Sequence, residues 1–173
     1  MRLRANTKET DGFPVTVTQH NPVVHVTRRY WFSASHRLHH PALAEAQNRE
    51  LYGKCNNPGG HGHNYHVELT VAGPVNLRTG MVVHLGELDE LVKTRILEPF
   101  GESYLNEQPN FQNVVPTTEH LCLEIYRIVR EGWHRLPSAQ QATLERVRLE
   151  ETSSNFFEYR GDDAGEGWSP SLM

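Results

Sequence analysis

Cysteine is scarce in this chain, with two residues in 173, Cys55 and Cys122. Two cysteines cannot build the disulfide scaffold of a small secreted domain, so the fold must rest on a hydrophobic core in a reducing setting. Long apolar runs are missing as well. Nothing approaches the roughly 20 residues that a membrane helix needs, or the shorter apolar segment of a signal peptide. The expectation is a soluble, cytoplasmic protein with no membrane partner. The third lack is a basic excess, since 17 Lys and Arg stand against 21 Asp and Glu for a net charge of −4. A nucleic-acid binder held by phosphate contacts would carry the opposite balance, so no nucleic acid is expected. Any anionic ligand must be met by a local basic cluster. What the chain does have is histidine, 11 residues of it, and the question is whether they are scattered or arranged.

Residues 1–22 read as a polar extension: Asn6, Thr7, Lys8, Glu9, Thr10, Asp11 and Gly12 offer no apolar periodicity, with a short strand expected at 15–18. From residue 23 the pattern changes. Val24, Val26, Tyr30, Phe32, Ala34 and His36 recur at the two-residue period of a half-buried strand. A short helix is expected over 41–51, and Cys55 to Gly60 is dense with turn formers. His61, His63, Tyr65, Val67, Leu69 and Val71 then share one face of a second strand. Residues 81–84 read as a brief extended piece, and Leu85, Leu88, Val92 and Ile96 follow at helical spacing up to Pro99. A further helix is expected over 117–132, its stripe made by Leu121, Cys122, Ile125, Ile128 and Val129, which makes Cys122 a core residue. Val147, Leu149 and Glu151 alternate again, residues 156–159 form a last strand, and 162–173 form a flexible acidic tail. Strands in hairpin-like pairs indicate an antiparallel α+β sheet in one domain, 23–161.

The histidines have a phase. His61-Gly62-His63 on a strand puts two imidazoles on one face about 7 Å apart. His36 ends the preceding strand on its own apolar face, so hairpin pairing would bring a third imidazole to the same point. Three histidines with an open fourth position are the ligand set of catalytic zinc. H-x-H alone is a common pattern, and hydrogen-bonded core histidines are the competing reading; the shared inward phase favours metal. The glycines at 53, 59, 60 and 62 do not form a phosphate loop, because they lead into a strand rather than a helix.

Cys55 lies six residues before His61 in a polar loop. A thiol near a cation has its thiolate favoured and can act as base or nucleophile, while an inert loop thiol or a fourth zinc ligand explains the sequence equally well. Glu119, in the first turn of its helix, and Glu151, near a strand end, read by default as dipole complement and solvated charge.

Four segments together resemble the 6-pyruvoyl-tetrahydropterin synthase family, which also contains the 6-carboxytetrahydropterin synthases of queuosine biosynthesis. They are Phe32-Ser33-Ala34-Ser35-His36-Arg37-Leu38, the run from Tyr52 to Tyr65 containing Cys55 and His61-Gly62-His63-Asn64-Tyr65, Thr79-Gly80-Met81-Val82, and Thr117-Thr118-Glu119. The resemblance covers roughly residues 25 to 161. It implies a T-fold, a four-stranded antiparallel sheet with two helices on one face, assembled into homo-oligomeric barrels (trimer or hexamer) with active sites between subunits. It implies zinc (Zn2+) on His36, His61 and His63, with Cys55 as the proton-abstracting base. Glu119 matches the carboxylate that anchors the pterin ring and Glu151 a second glutamate of the site. The implied substrate is 7,8-dihydroneopterin triphosphate, for whose phosphates Arg28, Arg29, Arg37 and Lys54 are the candidate contacts. Five residues between Cys55 and His61 match the pyruvoyl branch better than the carboxy branch.

One departure bears on mechanism. The family carries an Asp-His pair after the first helix, where this chain has Gly101 and Glu102. Glu102 would transfer protons if burial raised its pKa, and His120 is a second substitute. The alternative is a divergent member that cleaves another dihydropterin side chain or only binds pterin.

Overall fold

Two 14-residue strands, β1 (Val23–His36) and β2 (His61–Pro74), pair antiparallel along their whole length, from Val23 opposite Pro74 to His36 opposite His61. The computed structural model describes residues 22–161. The expected extension, its strand at 15–18 and the C-terminal tail therefore lie outside the described residues, apart from Pro22. The connection between the strands holds α1 (Glu45–Tyr52) and a 3-10 turn, Gly53–Asn56. β4 (Thr143–Thr152) pairs antiparallel with β2, and β5 (Asn155–Tyr159) with β4.

The sheet has five strands rather than the expected four. β3 (Ser103–Tyr104) lies parallel to β1 at Ala34 and Ser35, giving the order β3-β1-β2-β4-β5. Two residues carry no readable alternation, which is why the strand is absent from the sequence pattern. Residues 81–84, expected to be extended, form no strand.

α2 (Leu85–Val92) passes through a π-helical turn, Lys93–Leu97, into α3 (Glu98–Phe100), and α4 (Thr118–Gly132) is capped by Thr117, whose side chain accepts from the His120 N–H. Leu88, Leu91, Val92 and Ile96 from the first rod and Leu121, Cys122, Ile125, Ile128 and Val129 from α4 join Phe32, Tyr65, Val67, Leu69, Val147 and Leu149 in one buried cluster. Both rods thus cover one face of the sheet, and Cys122 is core. The other face, carrying Trp31, Glu68 and Phe156, has no layer over it among the described residues.

Candidate active site

The register that pairs His36 with His61 also pairs Ala34 with His63, so the three imidazoles meet on the helix-covered face where β1 ends and β2 begins. Ring centroids are 4.6 Å (His36 to His61), 5.2 Å (His36 to His63) and 4.9 Å (His61 to His63) apart. Gly60 makes this return possible, holding φ at 68° immediately before His61.

Each imidazole contributes one nitrogen to a set lying within 4.8 Å of one another. His36 is buried, and its Nδ1–H donates to the Pro116 carbonyl at 2.8 Å. That bond fixes the tautomer with the lone pair on Nε2, which faces His61 Nε2 at 3.1 Å. If His61 donated there, its buried Nδ1 would stay unsatisfied, as it is, and so would the buried Nε2 of His63. A cation relieves the crowding of nitrogens: a tetrahedral zinc with bonds of about 2.0–2.1 Å spaces its ligand nitrogens by about 3.3 Å, close to the 3.1 Å between His36 Nε2 and His61 Nε2. Burial lowers the pKa of His36, and burial followed by the charge of His63 lowers that of His61, which favours the neutral, ligating forms. The residues present fit such an ion.

Glu151, half-buried at the end of β4, stands beside this set with Oε1 3.6 Å from His63 Nε2 and 3.9 Å from His36 Nε2. The Thr118 hydroxyl donates to Oε1, and Asn155 Nδ2 donates to Oε2 at 2.9 Å. Burial opposes ionisation of Glu151, yet the bonds from Thr118 and Asn155 and then the neighbouring His63 and His36 outweigh it, holding the carboxyl below the usual range.

Cys55 is half-buried in the 3-10 turn and is not one of the clustered ligands, so the four-ligand zinc reading has no support here. Its carbonyl accepts from the Leu38 N–H at 2.9 Å, two residues past His36. Buried Asn56 ties the same turn down, donating to the Leu38 carbonyl at 2.8 Å while its own carbonyl accepts from Arg37 Nε at 3.0 Å.

Other expected residues fall elsewhere. Glu119 is exposed in the first turn of α4. Glu102 is exposed with φ at 56° and borders a cavity of about 330 Å³ together with His63, Ser33 and Asn64. His120 Nδ1 bonds the Val115 carbonyl at 2.7 Å and lines a separate cavity of about 640 Å³ with Arg37, Tyr52, Tyr104 and Phe111. Three of the four proposed phosphate contacts are engaged by carboxylates: Arg28 with Asp89, Arg29 with Glu68 and Arg37 with Glu45. Lys54 is exposed.

Thr118, Asn155 and the Pro116 carbonyl were not expected. Thr118 had a signal, because it extends the stripe of Leu121, Cys122 and Ile125 one turn toward the N-terminus and so must face inward where Glu119 faces out.

Residues 25–162 match the 6-pyruvoyl tetrahydropterin synthase family profile. The chain is 44% identical over 141 residues to the 6-pyruvoyl tetrahydrobiopterin synthase of Drosophila melanogaster, covering 81% of each. It is 40% identical over 139 residues to that of Homo sapiens, covering 79% of this chain and 91% of the relative. The solved structure of Caenorhabditis elegans 6-pyruvoyl tetrahydropterin synthase superposes with a TM-score of 0.73 at 33% identity, over 81% of this chain and 96% of that one. No helix among the described residues is long and apolar enough to cross a membrane. Sequence, sheet order and the histidine-lined end of the β1-β2 hairpin agree: the chain belongs to the 6-pyruvoyl tetrahydropterin synthase family, a family of lyases with the T-fold.

Proposed function

We propose that this chain is a zinc-dependent pterin synthase that converts 7,8-dihydroneopterin triphosphate to a 6-substituted tetrahydropterin, working in the cytoplasm as a homo-oligomer built from residues 23–161. The observation that carries the reading is the convergence of His36, His61 and His63, one nitrogen of each within 4.8 Å of the others, beside Glu151.

Bound by those nitrogens, zinc would polarise the oxygens of the substrate side chain and acidify the neighbouring C–H and O–H groups. The remaining work falls to the chain. The Pro116 carbonyl keeps the His36 lone pair aimed at the cluster. Glu151, with the Thr118 hydroxyl on one oxygen and Asn155 Nδ2 on the other, is held beside the histidines as the second glutamate of the site. Glu119, exposed in the first turn of α4 in the single chain, is the carboxylate that anchors the pterin ring, in a site completed where subunits meet. Cys55 takes the proton from the side-chain carbon, and Leu38 and Asn56 hold its turn in place. The pyruvoyl names of the relatives and the five residues between Cys55 and His61 favour loss of triphosphate over loss of a two-carbon fragment.

Purified, zinc-loaded protein given the triphosphate substrate should release triphosphate. Release of a two-carbon aldehyde would move it to the carboxy branch of the family, and no turnover of either kind would end the reading. Glu102, which stands where the family resemblance leads one to expect histidine, favours a second reading: a divergent member that cleaves another dihydropterin or only binds it. Tight pterin binding without turnover of the triphosphate selects that reading.

A further inference from the structure

Tyr65 carries a polar group that the chemistry described so far leaves unused. It shares the inward face of β2 with His61 and His63, and its ring packs among those of Phe32, His63 and His36 at centroid distances of 5.3, 5.6 and 6.4 Å. The residue is fully buried, and among the described residues its hydroxyl has no hydrogen-bond partner. Buried tyrosine hydroxyls normally find one, because an unmade bond costs the desolvation of the group. Two polar groups act on this one, the Glu151 carboxylate and the Thr118 hydroxyl. Burial and then the charge of Glu151 push its pKa up while Thr118 opposes them, so the phenol keeps its proton and is a donor without an acceptor. Glu151 is already served on both oxygens, by Thr118 at Oε1 and by Asn155 Nδ2 at Oε2. Thr118, having given its only proton to Glu151, keeps its lone pairs free.

We infer that Tyr65 is a positioning residue of the zinc site: in the loaded protein its O–H donates to the Thr118 oxygen and so directs the Thr118 proton onto Glu151. The chain of bonds runs one way. An ionised carboxylate only accepts, so Thr118 gives its proton to Glu151 and can only receive from Tyr65. Each bond polarises the next, which strengthens the grip on Glu151 Oε1, the oxygen 3.6 Å from His63 Nε2 and 3.9 Å from His36 Nε2. The inference rests on the reading of Glu151 as a residue of the site. Because Glu151 stands at the metal end while Glu119 anchors the ring, loss of the relay falls on the rate of reaction and not on the binding of substrate.

The test uses the full chain loaded with zinc, and Tyr65→Phe, which removes the hydroxyl and keeps the packed ring. With 7,8-dihydroneopterin triphosphate, kcat for triphosphate release should fall roughly threefold to tenfold, the range for a neutral hydrogen bond, while KM and zinc content stay unchanged. Thr118→Val should cost roughly tenfold to a hundredfold, the range for a bond to a charged group. Tyr65→Phe should add little in that background, because the hydroxyl it directs is already gone. Independently of turnover, the carbon-13 NMR signal of Tyr65 Cζ, assigned by its disappearance in Tyr65→Phe, should move in Thr118→Val. If Tyr65→Phe keeps kcat within twofold and melts no lower than wild type, the hydroxyl is merely unpartnered and the relay alone is refuted. A Cζ signal that moves with Glu151→Gln but not with Thr118→Val refutes it too, because the phenol then donates directly to the carboxylate. Wild-type protein without turnover, or Glu151→Gln with full turnover, would overturn the reading of Glu151 and the relay together.

Discussion

Gly60 shows how a single residue constrains the site. Its φ of 68° lies in the left-handed region, and a Cβ built on it would stand 2.9 Å from the His36 carbonyl oxygen and 3.0 Å from the Tyr104 ring. Gly60→Ala must therefore strain the backbone and push against the strand that carries His36. We expect it to cost about 1–3 kcal/mol of stability. Zinc affinity should fall roughly tenfold, the low end for losing support to a ligand. Melting curves and competition with a chelator would measure the two, and a normal melt with full zinc affinity would remove Gly60 from the construction of the site. Which residues the sequence reveals at this scale has a physical basis. His36, His61 and His63 were legible because a two-residue period and a hairpin together fix which face a side chain occupies. Thr118 and Asn155 were not, because their meeting with Glu151 depends on a bulge and on where α4 begins, and neither leaves a periodic trace. Glu119 was singled out by the family resemblance alone, while the neighbouring hydroxyl, about 100° round the helix, is the one buried against Glu151.

Between elements, the connections that matter are made by polar side chains with several partners. The Asn56 side chain joins the Cys55 turn to the segment after His36 through the Leu38 carbonyl, the His39 ring and the Arg37 guanidinium, which donates to its Oδ1. Asn56→Ala leaves the Leu38 carbonyl without that donor, at a cost of about 1–3 kcal/mol. The turn should loosen with it, so alkylation of half-buried Cys55 should become faster in the folded protein; an unchanged rate would show that the turn is held by other contacts. Asp89 does the same for α2 and β1, accepting from Arg28 at 2.9 and 2.7 Å and from the Tyr30 hydroxyl at 2.9 Å. Bonding to Arg28 holds its pKa below the usual 3.8, with the Tyr30 bond adding to this and burial opposing it. A carboxyl lowered on folding stabilises fully above its unfolded value, and that contribution disappears as pH falls through the folded value. The stability gap between wild type and Asp89→Asn should therefore be constant from neutral pH to about 4 and close below it. Denaturant titrations across that range would measure it, and a gap that persisted at the acid end would show that the charge of Asp89 is not its source. Long periodic elements such as β2 and α4 were readable. The two-residue β3 and the π turn inside the α2–α3 rod were not, since one is too short to have a period and the other leaves the apolar stripe of Leu88, Val92 and Ile96 intact.

For the whole molecule, the open face of the sheet carries a pattern that runs in register across four strands. Arg29, Glu68, Arg148 and Glu158 stand in register across β1, β2, β4 and β5, alternating in sign, and Trp31, His66, Glu150 and Phe156 form the adjacent row. Each row runs from β1, which β3 covers only at one end, to the edge strand β5. Trp31 on β1 is 71% exposed and Phe156 on β5 is 53% exposed. β1 pairs with β3 only at Ala34 and Ser35, so among the described residues most of its outer edge offers unpaired N–H and C=O groups, as does the outer edge of β5. Exposed edges of this length are templates for pairing with another chain. If the β5 edge of one copy meets the β1 edge of the next, Glu158 faces Arg29, Phe156 faces Trp31, and the alternation of charge continues through the junction. Such a head-to-tail contact closes into a ring when the rotation per copy divides a full turn. The solution mass should then be three or six times that of the chain by light scattering. Arg29→Glu, which breaks the junction by placing like charges together and also loses the internal pair with Glu68, should release smaller species. Glu68→Gln, which removes the internal pair alone, should leave the assembly intact. A wild-type protein that sediments as a monomer at micromolar concentration would leave the edges without a partner and remove the oligomer from the proposed function.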